Sequence, residues 1–461
     1  MAENAKKKVY TMDLCEGSIL KKLLLFTVPL IASSVLQLFF NAADVVVVGK
    51  FAGDNALGAV GSNGPIINLL TNVFIGLSVG ANVLVARYFA SKQYEELKKT
   101  VHTAISISVI GGVLLSIIGV ALAKQLLILM QSPTEIIDLA ALYLRIYFLG
   151  MPATLLYNYG AAILRGVGDT KRPLYYLTIS GVINVVLNLI FVIIFHMDVA
   201  GVALATIISQ CVSAFLVVRC LMREESAIRL ERKELRIDGR VLLRIVQIGL
   251  PAGVQGSLFS LSNVVIQSSI NSFGPTIVAG NSAAGNIEGF VYVAMNAFSQ
   301  AIVAFVSQNL GAGKYGRIKK IVITTQLCVL VVGAVLGNAV YLLGKPLLGL
   351  YSNNPAVIEA GVGRLAVICV TYALCGMMDC MVGALRGLGY SVMPMIVSLM
   401  GACAFRIVWI ALLFRNEQFH NIETIYYTYP VSWALTLAVH VLCFLFVSRR
   451  LKKKMKIVSS L

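Results

Sequence analysis

Four polar side chains in the first half of the sequence lie inside long apolar stretches, where such groups are costly to desolvate. Asp44 precedes a run of valines, Asn184 and Asn188 are one helical turn apart, and Thr206 lies in the next apolar stretch. At a rise of about 1.5 Å per residue, their depths allow the four to converge. A carboxylate beside amide and hydroxyl oxygens can coordinate an ion, so these four residues are candidates for an ion site. The alternatives are an interfacial Asp44 near Lys50, asparagines that only join helices, and a threonine bonded to its own helix.

The second half carries a different set of polar residues in apolar surroundings, namely Glu288, Asp379 and Arg406. An arginine this far into an apolar stretch cannot easily extend its charge to water. We therefore expect Arg406 to face protein and to pair with a carboxylate. Either Glu288 or Asp379 can supply it, and both a structural pair and a functional role remain open.

The sequence shows no recognisable catalytic set. Its four histidines make no ligand pair at helical spacing, so we predict neither a metal site nor a histidine base. The run Gly311–Lys314 looks like a phosphate-binding loop, but Tyr315 stands where Ser or Thr is needed. The nine cysteines have no CxxC spacing and are expected to be buried apolar residues, not disulfides. We expect a protein that is not an enzyme and has no cofactor.

Membrane-spanning helices must position these residues, because 58% of the chain is hydrophobic and only 13% is charged. A helix needs about 20 apolar residues to cross a bilayer core of about 30 Å. The predicted fold is an all-α integral membrane protein with twelve transmembrane helices. The twelve predicted stretches are 20–48, 56–86, 100–123, 135–163, 173–195, 200–220, 241–270, 276–307, 318–343, 355–384, 392–414 and 425–448.

The two halves of the chain repeat one another. Leu164–Pro173 recurs as Leu385–Pro394, and Val85–Lys99 recurs as Val306–Lys320 at the same offset. Six spans return the chain to its starting side, so we expect two parallel copies related by an axis along the membrane normal. The predicted organisation is an N-terminal six-helix lobe at 1–221, a cytoplasmic linker at 222–240 and a C-terminal six-helix lobe at 241–461.

The formal net charge of +17 is mostly a signal of membrane topology. Lysines and arginines concentrate at the two termini, in the linker and in alternate loops between the predicted spans. By the positive-inside rule, these segments and both termini are cytoplasmic. Because the basic residues are scattered over separate loops, no nucleic acid partner is predicted. The expected location is the cell membrane, with lipids as neighbours.

Several short motifs occur together along the chain. They are Asn41–Asp44 followed by Val48-Gly49, the Leu-Arg-Gly-x-Gly hairpins at 164–168 and 385–389, Gly181–Asn184 with Asn188, and Gly201–Thr206. In combination they resemble the multidrug and toxic compound extrusion (MATE) family over nearly the whole length. The resemblance implies a V-shaped transporter of two six-helix lobes. It also implies a monomer that exports organic, often cationic, drug-like compounds in exchange for protons or sodium ions.

Carried onto this sequence, the resemblance makes Asp44 the acid of the N-terminal lobe, with Asn184, Asn188 and Thr206 around it. Relatives commonly have Asp where this chain has Asn188, which weakens the case for a site with two acids and for sodium. The NorM-like branch has a Glu in the stretch occupied here by 259–262, so a DinF-like or MepA-like branch fits better. Pro29 matches a proline that lets the first span bend, although a static kink that aids packing is an equal alternative.

Two further readings concern the substrate. Methionines and aromatic residues such as Tyr157 and Met295 could line an adaptable apolar cleft, although plain helix packing is the commoner role. A rival function is a flippase for lipid-linked precursors on a related fold. Such flippases usually have additional spans and a cationic central cavity, neither of which this sequence indicates. A channel or receptor without coupled pumping is a second rival.

Overall fold

The computed structural model of the protein describes residues 11–130, 132–414 and 416–458, which form helices and connecting turns without any β-strand. The predicted all-α membrane fold is confirmed. The first half contains α1 (Ile19–Phe51), α2 (Asp54–Ser62), α3 (Gly64–Ala90), α4 (Tyr94–Leu129), α5 (Ile137–Leu149), α6 (Met151–Gly166), α7 (Lys171–Leu189) and α8 (Asp198–Arg223). The second half contains α9 (Gly239–Asn271), α10 (Pro275–Gly311), α11 (Tyr315–Leu342), α12 (Gly344–Gly349), α13 (Pro355–Ile368), α14 (Tyr372–Gly387), α15 (Val392–Ser398), α16 (Phe405–Trp409) and α17 (Ile422–Val458).

Most of these helices are long and apolar enough to cross a membrane. Within the described residues, ten helical stretches qualify alone, and two bent pairs qualify together. The pairs are α5 with α6, bent by 49°, and α13 with α14, bent by 48°. Counting each pair as one span gives up to twelve, as the apolar stretches predicted. The two bends fall at corresponding places in the two repeats, so they belong to the repeated unit.

Three π-helical segments widen the helices locally. One, Ile190–Ile194, directly continues α7 beyond Asn188, and the other two, Leu399–Ala404 and Ile410–Phe414, flank α16. A π-turn shifts the backbone hydrogen-bond register and is often found at functional sites. The segment after α7 therefore alters the helix next to one of the predicted site residues.

The chain divides into two compact units. The first comprises the chain up to Leu250 together with Ser307–Tyr315, and the second comprises Pro251–Val306 with the chain from Gly316 onward. The first unit thus includes the beginning of α9 and the end of α10, which the predicted lobe at 1–221 did not include. Glycines explain why the beginning of α9 packs there. A Cβ on Gly80 would meet the Ile245 carbonyl oxygen at 2.3 Å, and one on Gly249 would meet the Leu77 Cα at 2.5 Å.

The segment preceding α1 is held to the first unit by buried hydrogen bonds. The backbone N–H of Leu14 donates to Gln308 Oε1 at 3.3 Å, and Gln308 Nε2 donates to the Gly166 carbonyl at 2.8 Å. Asn309 Nδ2 donates to the Leu14 carbonyl at 3.1 Å. These amides lie just before the loop that resembles a phosphate-binding loop, and their contacts are structural.

The connection between α8 and α9 packs on the beginning of α4. The Glu231 N–H donates to His102 Nε2 at 3.0 Å, and Lys98 Nζ donates to Glu234 at 2.8 Å. This hydrogen bond from Lys98 holds the pKa of the Glu234 carboxyl below its usual value. The predicted linker is therefore a docked segment with one short 3-10 turn, Arg232–Glu234.

Candidate functional site

The four polar residues predicted in the first half lie together in the first unit. Asn188 Nδ2 donates a hydrogen bond to Asp44 Oδ1 and lies 3.4 Å from Asn184 Oδ1. Asn184 Nδ2 in turn lies 3.4 Å from Thr206 Oγ1. The result is a polar chain across three helices, from α1 through α7 to α8, which we call the ion site. Its role in ion coupling stays a prediction.

Close helix packing brings Asp44 to the asparagines. Gly181, one turn before Asn184 on α7, faces the ring of Phe40 on α1, and a Cβ there would fall 1.7 Å from that ring. Only glycine lets α1 approach this closely, as small residues do at other helix contacts in membranes. The motif Gly181–Asn184 therefore serves both the packing and the ion site.

Asn188 is the most buried member of the ion site. Its side chain is 0% exposed, and among the described residues its Oδ1 atom has no hydrogen-bond partner. A buried acceptor left unpaired costs free energy unless something supplies a positive partner. The Asp44 carboxylate lies next to it, so the site presents two kinds of oxygen to a proton or a small cation.

Other contacts of the ion site limit what each member can do. The Thr206 hydroxyl donates to the Val202 carbonyl at 2.9 Å. This is the hydrogen bond to its own helix that the sequence analysis gave as the alternative role of Thr206. Thr206 therefore offers only an acceptor lone pair to Asn184. Tyr143 and Tyr147 on α5 lie within electrostatic range of Asp44. These tyrosines were absent from the sequence prediction because nothing in their spacing marks them.

Three other predicted residues take structural positions. Tyr157 is 7% exposed and donates from its hydroxyl to the Pro173 carbonyl at 3.1 Å. Met295 is fully buried and packs against Gly376 on α14. Both have the helix-packing role that the sequence analysis kept as the alternative to a cleft wall. Pro29 lies inside α1, which continues through it, and Ser33 Oγ donates to the Pro29 carbonyl at 2.8 Å.

The second unit corrects the ion pair expected from the sequence. Glu288 pairs with Arg364, accepting from Nε at 2.7 Å and from Nη2 at 2.8 Å. Arg406 has no carboxylate within ion-pair distance among the described residues. Its Nε donates to Ser432 Oγ at 2.9 Å, and its guanidinium lies 4.3 Å from the centre of the Tyr429 ring. The predicted pairing of Arg406 with Glu288 or Asp379 is therefore wrong. Glu288 pairs with Arg364, and Arg406 contacts the face of an aromatic ring where a carboxylate was expected.

Asp379 lies on α14 and is partly exposed. Its carboxylate interacts electrostatically with the guanidinium of Arg386, which lies on the same helix. Ser299 Oγ donates to the Asp379 backbone carbonyl at 2.9 Å, so the helix itself is held against α10. Asp379 is thus neither the partner of Arg406 nor part of the Glu288 pair.

Arg364 was missed by the sequence analysis although the signal was present. It lies inside the predicted stretch 355–384, where an arginine is as costly as Arg406 in its own stretch. Its Nη1 atom also donates to Asn281 Oδ1 at 2.5 Å. Applying the same rule to every arginine in a span would have found this residue and widened the choice of partners for Glu288.

Comparison with known proteins gives matches along most of the chain. The family model MatE matches residues 29–190 and again residues 251–412. The probable multidrug resistance protein YoeA of Bacillus subtilis is 26% identical over 442 residues, which are 94% of this chain and 95% of YoeA. The FAD transporter of Shewanella oneidensis is 27% identical over 346 residues, 73% of this chain and 75% of that protein. A crystal structure of a mutant of the Vibrio cholerae MATE transporter VcmN has a TM-score of 0.87 at 22% identity, covering 94% of this chain and 97% of that one.

Proposed function

Because the chain belongs to the MATE family, we propose that it is a secondary active multidrug efflux transporter, exporting organic compounds in exchange for H⁺ or Na⁺. The observation that carries this proposal is the ion site: the Asn188 amide nitrogen donates to Asp44, and the Asn188 amide oxygen is buried without a partner among the described residues. A membrane-embedded acid beside an unsatisfied oxygen is the arrangement that a transported cation can complete.

In the proposed mechanism, the coupling ion and the substrate exclude each other through the state of Asp44. When Asp44 is charged, it attracts a cationic substrate or favours the conformation that is open to the outside. When a proton or Na⁺ binds from outside, that charge is neutralised and the substrate is released. A cation can shift the conformational equilibrium only by its difference in affinity between the two states. Coupling therefore requires Asp44 to bind the cation more tightly in one of them.

The family alone leaves the substrate open. One relative is named for multidrug resistance and another for FAD transport. A cationic substrate is proposed for the ion site because Asp44 is the acid there. We further propose a monomer in the cell membrane with both termini in the cytoplasm, which the basic residues of the loops on that side support.

The test is dye transport by purified protein in liposomes with either a proton or a sodium gradient. We expect uphill ethidium movement with one of the two gradients and none without a gradient. Asp44→Asn should abolish uphill movement while keeping the shape of the side chain. Asp138→Asn is the matched control, because Asp138 is an exposed acid paired with Lys124 at 2.8 Å. Coupled transport by Asp44→Asn at the rate of the unchanged protein would overturn the proposal.

The same assay separates the rival functions. A flippase for lipid-linked precursors would move a labelled lipid and leave ethidium unmoved. A channel would let dye equilibrate at equal rates with and without a gradient. The candidate spans in the described residues number at most twelve, which does not reach the additional spans usual for such a flippase.

A further inference from the structure

The second unit contains a cavity of its own, of about 470 Å³. Its walls come from α9, α10, α13, α14 and α17, and its volume is in the range of small-molecule sites. The residues that matter for recognition are Asn263, Gln267, Asn281, Arg364, Tyr429 and Trp433. None of the residues of the ion site lines it, so the mechanism described above leaves this cavity without a role.

The side chains in and behind the cavity wall carry a net positive charge. Arg364 and Glu288 both line the cavity, and their charges balance each other through two parallel hydrogen bonds. Arg406 stands behind the wall, 6% exposed, and no carboxylate in the described part of the chain lies within ion-pair distance. Among the described residues, its guanidinium donates to the Ser432 hydroxyl and lies against two aromatic rings. A cation placed in this cavity would be repelled, whereas an anion would complete it.

Two aromatic rings that line the cavity lie against the guanidinium of Arg406. Its guanidinium lies 4.3 Å from the ring centre of Tyr429 and 5.8 Å from that of Trp433, and both rings line the cavity. Trp433 also lies 5.4 Å from the ring of Tyr372, a third aromatic wall residue. Such a cluster favours a flat aromatic ligand, because stacked and edge-on ring contacts add to the gain from burial.

Amide side chains also line the cavity. Asn281 Nδ2 donates to Gln267 Oε1 at 3.1 Å, while its Oδ1 accepts from Arg364. Asn263 and Asn286 add two more amides to the wall. Amide N–H groups can donate to the oxygens of a carboxylate or phosphate and to the polar edge of a heterocycle.

We propose that this cavity binds an anionic planar aromatic compound, with its ring against Tyr429 and Trp433 and its acidic group drawn by Arg406. The chemistry is a flat heterocycle bearing a phosphate or carboxylate, opposite in charge to the cationic substrates proposed for the ion site. The inference rests on the proposed export function for its physiological meaning, since it names a class of substrate. Binding to the cavity is measured without any gradient, so it can fail or succeed independently of coupled transport.

The protein carries its own reporter for this test. Its two tryptophans are Trp409 and Trp433, and a Trp409→Phe variant leaves only the one that lines the cavity. Quenching of Trp433 fluorescence in the purified full-length variant is titrated with flavin mononucleotide and with riboflavin, which has the same ring without the phosphate. Ethidium serves as the cationic aromatic probe. We expect flavin mononucleotide to bind about tenfold more tightly than riboflavin, and ethidium more weakly than either.

Variants of Arg406 link this preference to its charge. Arg406→Gln should remove the advantage of flavin mononucleotide and leave riboflavin binding unchanged, which also shows that the variant is folded. Arg406→Lys should keep most of the advantage. Arg449→Gln, the same change at an exposed residue of α17, should have no effect. The proposal is overturned if neither flavin quenches Trp433, if both flavins bind equally, if ethidium binds more tightly, or if the preference survives Arg406→Gln.

Discussion

Replacing Glu288 by Gln should destabilise the protein far more than the same kind of change at an exposed ion pair. The side chains of Arg364 and Glu288 are 10% and 7% exposed, and two parallel hydrogen bonds join them. Glutamine has nearly the same shape but no charge, and its amide N–H₂ opposes one N–H of the guanidinium. Glu288→Gln therefore leaves a buried positive charge without its partner.

The size of the effect follows from this burial. Removing one partner of a buried ion pair costs about 3–5 kcal/mol. The comparison pair, Lys124 with Asp138, is 46% and 82% exposed, and breaking such a pair costs about 0–1 kcal/mol. If about 3 kcal/mol is lost from the barrier to unfolding, the half-life of the folded protein falls by about 100-fold.

The assay is the loss of the monodisperse size-exclusion peak with time at a fixed raised temperature in detergent. We expect the unchanged protein to have the longest half-life, Asp138→Asn to have nearly the same half-life, and Glu288→Gln to have a far shorter one. The double variant Glu288→Met with Arg364→Met should recover most of the loss, because it removes both charges together. Equal half-lives for Glu288→Gln and Asp138→Asn would refute the buried pair, as would a double variant no more stable than Glu288→Gln.

Three further outcomes are expected from the first unit. Asn188→Asp places a second carboxylate beside Asp44, so dye efflux in liposomes should reach half its maximal rate at a coupling-ion concentration about tenfold lower; an unchanged concentration would contradict the shared site. Gly181→Leu should abolish coupled efflux by separating α1 from α7, with the protein still monodisperse, and full activity would contradict the close packing. The pKa of Glu234 is lowered chiefly by the hydrogen bond from Lys98. Contact with the linker is thus favoured above the ordinary carboxyl pKa and lost as pH falls through the lowered value. Protease cleavage of the linker should therefore increase as the pH is lowered from 7 to below the ordinary pKa of a carboxyl group, and a flat profile would contradict that contact.

The spans could be predicted from the sequence because the bilayer sets one simple length requirement. Each predicted apolar stretch corresponds to a helix or to helices in direct succession. The bends after α5 and α13 could not be predicted, because an apolar stretch has the same composition whether it is straight or bent. The π-helical segment beyond Asn188 is hidden for the same reason, since it depends on packing and not on residue type.

The grouping of these four polar residues could be predicted because they lie at similar depths in neighbouring apolar stretches. The i to i+4 spacing of Asn184 and Asn188 puts both on one face of α7, and Asp44 and Thr206 lie at matching depth on the neighbouring helices. Which atom donates to which, and the unpartnered Asn188 Oδ1, depend on side-chain torsions that no sequence pattern contains.

The second unit shows the limit of the same reasoning. The sequence indicates that Arg406 is a buried charge and predicts a carboxylate to balance it. In the structure, Glu288 pairs with Arg364, and the guanidinium of Arg406 lies over the ring of Tyr429. Charge balance by an aromatic face cannot be read from spacing across separate helices, so the positive cavity could not be expected in advance.

The most direct test of the central claim is cation binding to the purified, substrate-free protein. Calorimetry with Na⁺ on the substrate-free protein, and measurement of the protons released into a weakly buffered solution when ethidium is then added, distinguish the two coupling ions. We expect one of these signals in the unchanged protein and in Asp138→Asn, and neither in Asp44→Asn. A cation signal of the same size in Asp44→Asn would contradict the assignment of the ion site.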